Sequence, residues 1–300
     1  QAAGPQAAGA AQGDAAALHA AAAEGRAEVV RRLCRAKADV NVALPDSALV
    51  LFEAAGELVK VLECFVGTTP LVTAGFVGAT PLITAGFHFH GHVEVVRCLC
   101  EAGAAKEKAA RRGSRPLHAA ACRGHVEVVH YLCQERADVE KVQAYGSTPL
   151  MVAALGGYLE AVRYLCEAGA DRDRANRDGS TALHASAHAG QLEVVRYLCQ
   201  AGADKDRSAE DGSTPFHCSA YWGQPEVVRY LCQEGADTER VSVYDITPLV
   251  LAAEQGHLEA VRRLCEAGAD GAGRREAAAE LAAQEGHREV LLQLSGGRRG

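Results

Sequence analysis

DGSTPFHCSAYWGQPEVVRYLCQEGADTE, the stretch from Asp211 to Glu239, returns one period earlier as DGSTALHASAHAGQLEVVRYLCQAGADKD, from Asp178 to Asp206. Both copies place Thr, His, Gly, Val-Val, Leu-Cys and Gly-Ala-Asp in the same order, every position displaced by the step that separates Asp178 from Asp211. Self-similarity at a fixed step of ~33 residues marks an array of short units, each burying its apolar face only against its neighbours. The glycines Gly91, Gly124, Gly157, Gly190, Gly223 and Gly256 stand one such step apart, as do Cys100, Cys133, Cys166, Cys199, Cys232 and Cys265. From Gly25 to Gly91, and from Cys34 to Cys100, the gap is two steps, which leaves room for one degenerate unit.

Each unit reads as two short helices. Between Gly146 and Asp171, Thr148 is placed to cap a helix N-terminus, with Pro149 at the first position, where a missing N–H leaves nothing unsatisfied. Leu150, Ala153 and Ala154 give that helix a narrow inner face, and Gly156-Gly157 stops it. A second helix, from about Leu159 to Glu167, buries Val162, Leu165 and Cys166. Asp-Gly pairs such as Asp178-Gly179 and Asp211-Gly212 mark tight turns between units.

The expected organisation is a lead-in over 1–13, an array over 14–294 and a frayed tail over 295–300. Its units fall near 14–41, 42–66 (degenerate), 67–110 (irregular), 111–142, 143–175, 176–208, 209–241, 242–270 and 271–294 (shortened and capping). A tandem duplication disturbs the third: VGTTPLVTAGF over Val66–Phe76 and VGATPLITAGF over Val77–Phe87. Thr80 is the expected start, because it stands one full step after Ser47, whereas Thr69 would leave the preceding loop too short.

Units of this length with TPLH-like starts, GH between the helices and a GAD ending resemble the ankyrin-repeat family over roughly residues 14–294. The resemblance implies an all-α solenoid of helix-turn-helix units, an L-shaped stack whose turn tips project to one side and which binds other proteins. It implies no catalytic residue set. Departures from the pattern are His130, Arg136, Pro225 and the disturbed region from 42 to 90.

A formal charge of −7 offers no basic field for nucleic acid or an anionic membrane surface. Seven of the eleven cysteines occupy one helical position in successive units. Stacked helices lie about 8–10 Å apart, beyond the roughly 7 Å Cα limit for a bridge, so free thiols in a reducing compartment are expected. The expectation is a cytoplasmic or nuclear monomer with no cofactor, and no uncharged apolar run is long enough to span a bilayer. The chain begins at Gln1, which admits a longer parent protein.

Candidate chemistry is weighed against plainer readings. His19, His118, His184 and His217 hold the TPLH-like position, where hydrogen bonding to the backbone is the expected role. His88, His90 and His92 with Cys98 and Cys100 form the one metal constellation, although its members fall on different faces. His118 and Cys122 share a helical face but lack an orienting third group. The basic run Lys106, Lys108, Arg111, Arg112, Arg115 and Arg123 reads as a solvated loop face. Tyr131, Tyr164, Tyr197 and Tyr230 read as packing between units.

The informative side chains escape the pattern. Positions just before the inter-helix glycine face the concave side: Phe87 and His88, Cys122 and Arg123, Leu155 and Gly156, His188 and Ala189, Tyr221 and Trp222, Glu254 and Gln255. Tip positions add Arg111, Arg112, Tyr145, Arg177 and Tyr244. Trp222, the single tryptophan, stands where other units carry Gly, Ala, Arg or Gln. The expectation is a protein-binding groove centred on Tyr221 and Trp222, flanked by His188 and Tyr244, in a non-enzymatic scaffold or adaptor. The alternative is the recognition arm of a larger enzyme.

Overall fold

The computed structural model describes residues 16–43, 80–87, 92–110, 113–269, 271 and 273–296. Every regular element among them is helical. The chain divides into two compact units, Gln1–Ala144 with Glu167–Gly169, and Tyr145–Cys166 with Ala170–Gly300.

In the first unit α1 covers residues 16–23, α2 Ala27–Arg35, α3 Pro81–Phe87, α4 Val93–Glu101, α5 Pro116–Arg123 and α6 Val126–Gln134. Inner helix α3 packs on α5, and outer helices α2, α4 and α6 pack in turn. The helices are too short to be stable alone; burial of their apolar stripes holds them. Leu82, Leu99, Leu117 and Leu132 are the buried anchors, each worth about 1.5–3 kcal/mol.

The degenerate unit expected over 42–66 falls largely outside the described residues. The units flanking it meet directly, because α2 packs against α4. Three polar contacts cross the same junction. His92 Nε2 donates to the Ala23 carbonyl at 3.1 Å, Asn41 Oδ1 accepts the Ala105 N–H at 2.7 Å, and Lys108 Nζ donates to the Asn41 carbonyl at 2.6 Å.

In the second unit, inner and outer helices alternate: α7 Pro149–Leu155, α8 Leu159–Glu167, α9 Ala182–His188, α10 Leu192–Gln200, α11 Pro215–Tyr221, α12 Pro225–Gln233, α13 Pro248–Glu254, α14 Leu258–Glu266, α15 Arg274–Gln284 and α16 Arg288–Gly296. Inner helices α7, α9, α11, α13 and α15 stack in order, as do outer helices α10, α12, α14 and α16. The Thr148 hydroxyl accepts the Met151 N–H at 3.2 Å, the cap expected for α7. Pro225, a departure from the repeat pattern, sits in the first turn of α12, where proline is tolerated.

The recurrent threonine and histidine form one device. In α11 the His217 Nδ1 accepts the Thr214 N–H at 3.2 Å and lies 2.9 Å from the Thr214 hydroxyl, while Nε2–H donates to the Ile246 carbonyl at 3.2 Å. His184 repeats this with Thr181 and Ser213. The ring thus closes the helix start and ties it to the next turn tip, which fills the structural role expected of it.

Candidate functional site

The inter-helix glycine and the residue after it explain how the site is held. Gly223 has φ +62°, the left-handed conformation that ends α11. It also makes room for a ring: a Cβ there would lie 2.4 Å from His257 Nδ1. That histidine donates from Nε2 to the Tyr221 carbonyl at 2.9 Å, which helix termination would otherwise leave unpaired. One unit earlier Gln224 Nε2 donates to the His188 carbonyl at 3.2 Å, and one unit later His287 Nε2 donates to the Glu254 carbonyl at 2.9 Å.

These bonds fix the backbone and leave the side chains to solvent. Tyr221 ends α11 at 38 % exposure, and Trp222 follows it at 50 %. The Trp222 ring lies 4.4 Å from the His188 ring, tilted by 47°, and Tyr221 meets it edge-on at 5.4 Å. Partial burial lowers the His188 pKa below its ordinary value, so the ring is neutral near pH 7. The cluster therefore presents three aromatic rings and no formal charge.

The face extends along the stack. Leu155 ends α7 at the register of His188 and Tyr221 and is 47 % exposed. One helical turn back, Val152, Ala185, Cys218 and Leu251 are partly exposed at matching positions. This second row was missed in the sequence. The signal was there, three residues before the last inner-helix residue, but alanine-rich helices offer little contrast between faces.

The turn tips form a hydrogen-bonded edge. Arg177 N–H donates to the Tyr145 carbonyl at 3.0 Å, Glu210 N–H to Asp178 at 3.0 Å, and Val243 N–H to Asp211 at 2.9 Å. Tyr145 and Tyr244 project from it at 56 % and 73 % exposure, and Arg177 is exposed at the tip next to Tyr145. Tyr145 holds φ +69°, a costly conformation for a bulky residue. The structure brings together His188, Tyr221 and Trp222; Tyr145, Arg177 and Tyr244 belong to the separate tip edge.

A family model described as "Ankyrin repeats (3 copies)" matches residues 51–143, 89–176, 137–209 and 169–242, and one described as "Ankyrin repeat" matches 15–43 and 244–272. The chain belongs to the ankyrin-repeat family. No curated protein matches it. Ankyrin repeats are generally protein-interaction modules and typically non-catalytic.

Within these ankyrin repeats the other candidate residues are placed as follows. Arg123 ends α5 in the first unit and is half-buried, Phe87 ends α3, and His88, Arg111 and Arg112 lie outside the described residues. Much of the basic run is used internally. Lys106 bonds Glu135, Lys108 the Asn41 carbonyl, and Arg115 the Gly113 and Val142 carbonyls. Of the metal constellation, His88 and His90 are not among the described residues, and His92 is committed to Ala23. Among the described residues no three metal-ligating side chains converge.

The thiols are electrostatically quiet. Desolvation raises Cys100, Cys133, Cys199 and Cys232 to about 11 and Cys218 to about 12, and it also raises Cys122 beside the buried His118. Protonated thiols are poor nucleophiles and poor metal ligands. The tyrosine column carries a cation–π ladder. Arg97 lies 5.5 Å from the Tyr131 ring centre, Arg163 5.6 Å from Tyr197, and Arg196 5.1 Å from Tyr230.

Proposed function

We propose that the chain is a non-enzymatic scaffold or adaptor that binds another protein through the concave inner-helix face and the turn tips, with Tyr221 and Trp222 as its anchor. One observation carries the reading: Trp222 leaves half its surface in solvent at a register where the stack is equally well served by Gly156, Ala189 or Gln255. Large exposed aromatics that packing does not require are the residue type on which interface energy concentrates. His188 backs the Trp222 ring, while Tyr145, Arg177 and Tyr244 supply the tip contacts. Phe87, His88, Arg123, Arg111 and Arg112 are their counterparts by sequence register in earlier repeats. The array bounds are taken as 14–294. A reducing compartment, cytoplasmic or nuclear, fits the ten described cysteines, all free.

The test is paired capture from cells with wild-type and Trp222→Ala baits, followed by affinity measurement on the purified pair and a denaturation control. Loss of the anchor should weaken binding by about thirty-fold or more, the equivalent of about 2 kcal/mol. Retained affinity at unchanged stability ends the reading.

A further inference from the structure

The inner face of the second unit changes character along the stack. In the register of Tyr221 the inner helices end on Leu155, His188, Tyr221 and Glu254, and Glu285 follows in the register of Trp222. The face thus passes from an apolar side chain, through three rings without formal charge, to carboxylates. Glu254 is partly exposed and Glu285 exposed, and among the described residues neither enters an ion pair. His188 backs Trp222 at 4.4 Å as a neutral ring, so no cation of the stack occupies the indole face from that side.

The tip edge adds more negative charge to the same helices. Asp178, Glu210 and Asp211 are exposed there, and among the described residues none of them enters an ion pair. The Asp211 carboxylate accepts the Ser213 N–H at 2.9 Å and its hydroxyl at 3.0 Å. From there it acts on the floor of the face: after burial, its field is the next influence that raises Cys218. Cys218 stands one turn of α11 before Tyr221 and Trp222, about 6 Å along the axis. Cations are present but outweighed or engaged. Arg207 and Arg240 act on the buried His184 and His217, where the field of Asp211 is the larger. Arg274 is paired with Asp245 at 3.1 Å, and Arg177 stands at the tip next to Tyr145.

We infer that the partner taken up by this face is a basic, extended segment of another protein. It lays an arginine or lysine side chain on the Tyr221 and Trp222 rings and sets a further positive charge against Glu210 and Asp211. The inference rests on the reading of Trp222 as the anchor and adds the chemistry of what it holds. A cation is drawn both by the negative face of an aromatic ring and by nearby carboxylates, so one side chain answers both features. Its aliphatic stem covers apolar surface while its charge stays at the rim. An acidic segment would meet like charge at Glu210, Asp211 and Glu254, and a wholly apolar one would desolvate carboxylates that it cannot pair.

Short random peptides displayed on phage and panned on the intact chain test this, with Trp222→Ala as the counter-target. Peptides that need Trp222 should share an Arg or Lys, and its replacement by Gln should weaken binding about five-fold or more. Glu210→Gln combined with Glu254→Gln leaves the backbone bonds of both residues in place. It should weaken the same peptides about three-fold or more in about 50 mM salt, and less in about 500 mM. Thermal unfolding checks that the double variant keeps its fold, and the replacement made in the peptide is independent of it. If the Trp222-dependent peptides are acidic or wholly apolar, the basic segment is wrong while the anchor stands. If no peptide depends on Trp222, the anchor itself fails and the inference with it. Trp222-dependent basic peptides that ignore the loss of both carboxylates overturn the inference as well.

Discussion

Gly223 and Gly235 end the two helices of one ankyrin unit with similar backbone geometry, φ +62° and +72°, but with different surroundings. Alanine at either position takes on the left-handed cost, about 1–2 kcal/mol, partly offset by about 0.4–1 kcal/mol from a stiffer unfolded chain. At Gly235 nothing lies within 4 Å of the new methyl, so Gly235→Ala should cost about 1 kcal/mol. At Gly223 the methyl would sit 2.4 Å from Nδ1 and 2.5 Å from Cγ of His257. That ring must move, and its bond to the Tyr221 carbonyl, worth about 0.5–1.5 kcal/mol, is lost. Gly223→Ala should therefore cost about 1.5–2.5 kcal/mol. Urea unfolding, followed by far-UV circular dichroism and by the fluorescence of the single tryptophan, measures both. In a His257→Ala background the cost at Gly223 should drop to that at Gly235. Equal costs for the two alanines, or a Gly223 cost that ignores the loss of the ring, would refute the account of the GH pair as glycine making room for the next unit's histidine.

Three further outcomes follow from the same geometry. Burial lowers the pKa of His19 to about 4 and also lowers those of His184 and His217, so the unfolded chain takes up these protons first. Stability should be complete above about pH 6.5 and fall as pH drops toward 4, with His19 alone contributing about 3 kcal/mol at the end of that window; a urea midpoint that does not decline from pH 7.5 to 4.5 contradicts this. Arg136 holds φ +60° where Gly103, Gly169, Gly202, Gly235 and Gly268 stand in other units, so Arg136→Gly should raise the melting temperature, by the equivalent of about 0.5–1 kcal/mol, and a decrease would show that the arginine side chain matters more than its backbone. With Cys133, Cys199 and Cys232 near 11, iodoacetamide at pH 7.5 should alkylate these three thiols about a hundred-fold more slowly in the native chain than in the urea-unfolded one, read by peptide mass spectrometry, and comparable rates would reject the burial argument.

The regular part of the fold was legible because its determinants are local and repeated. Thr148 and Pro149 announce a helix start, Gly157 and Gly169 its two stops, and Leu-Cys its outer core, so a single unit read well predicts its neighbours. The junction after Val42 was not legible. Period counting leaves room for an extra unit in the double-length gap between Gly25 and Gly91, but it pairs no residue across that gap, whereas Ala23 meets His92 and Asn41 meets Ala105. The candidate site was legible as an exception to a pattern. Trp222 stood out against Gly, Ala, Arg and Gln at its register, whereas Val152 and Ala185 did not, since small apolar side chains look alike whether they are covered or bare. Hydrogen bonds drawn from the next unit, such as Gln224 to His188, join positions more than a full repeat apart and leave no local trace.

Why the stack tolerates such variety at the ends of its inner helices can be argued from one atom. Two residues before the glycine, Ala23, His188, Tyr221 and Glu254 differ in size, polarity and charge. Each gives the next unit the same thing, its carbonyl oxygen, taken by His92, Gln224, His257 and His287 respectively. Because the backbone alone carries that contact, substitution of the side chain leaves the inter-unit bond in place. The side chain is then free to vary without loss of that contact, and the following residue, Trp222 in this unit, inherits the same freedom. A Tyr221→Ala change should accordingly leave stability within about 0.5 kcal/mol, as at surface sites generally, while His257→Ala, which removes the donor, should cost about 1–2 kcal/mol. Thermal unfolding of the two variants decides it. If Tyr221→Ala proves the more destabilising, its ring is part of the scaffold and the division between stack and site fails at the residue where it is drawn most sharply.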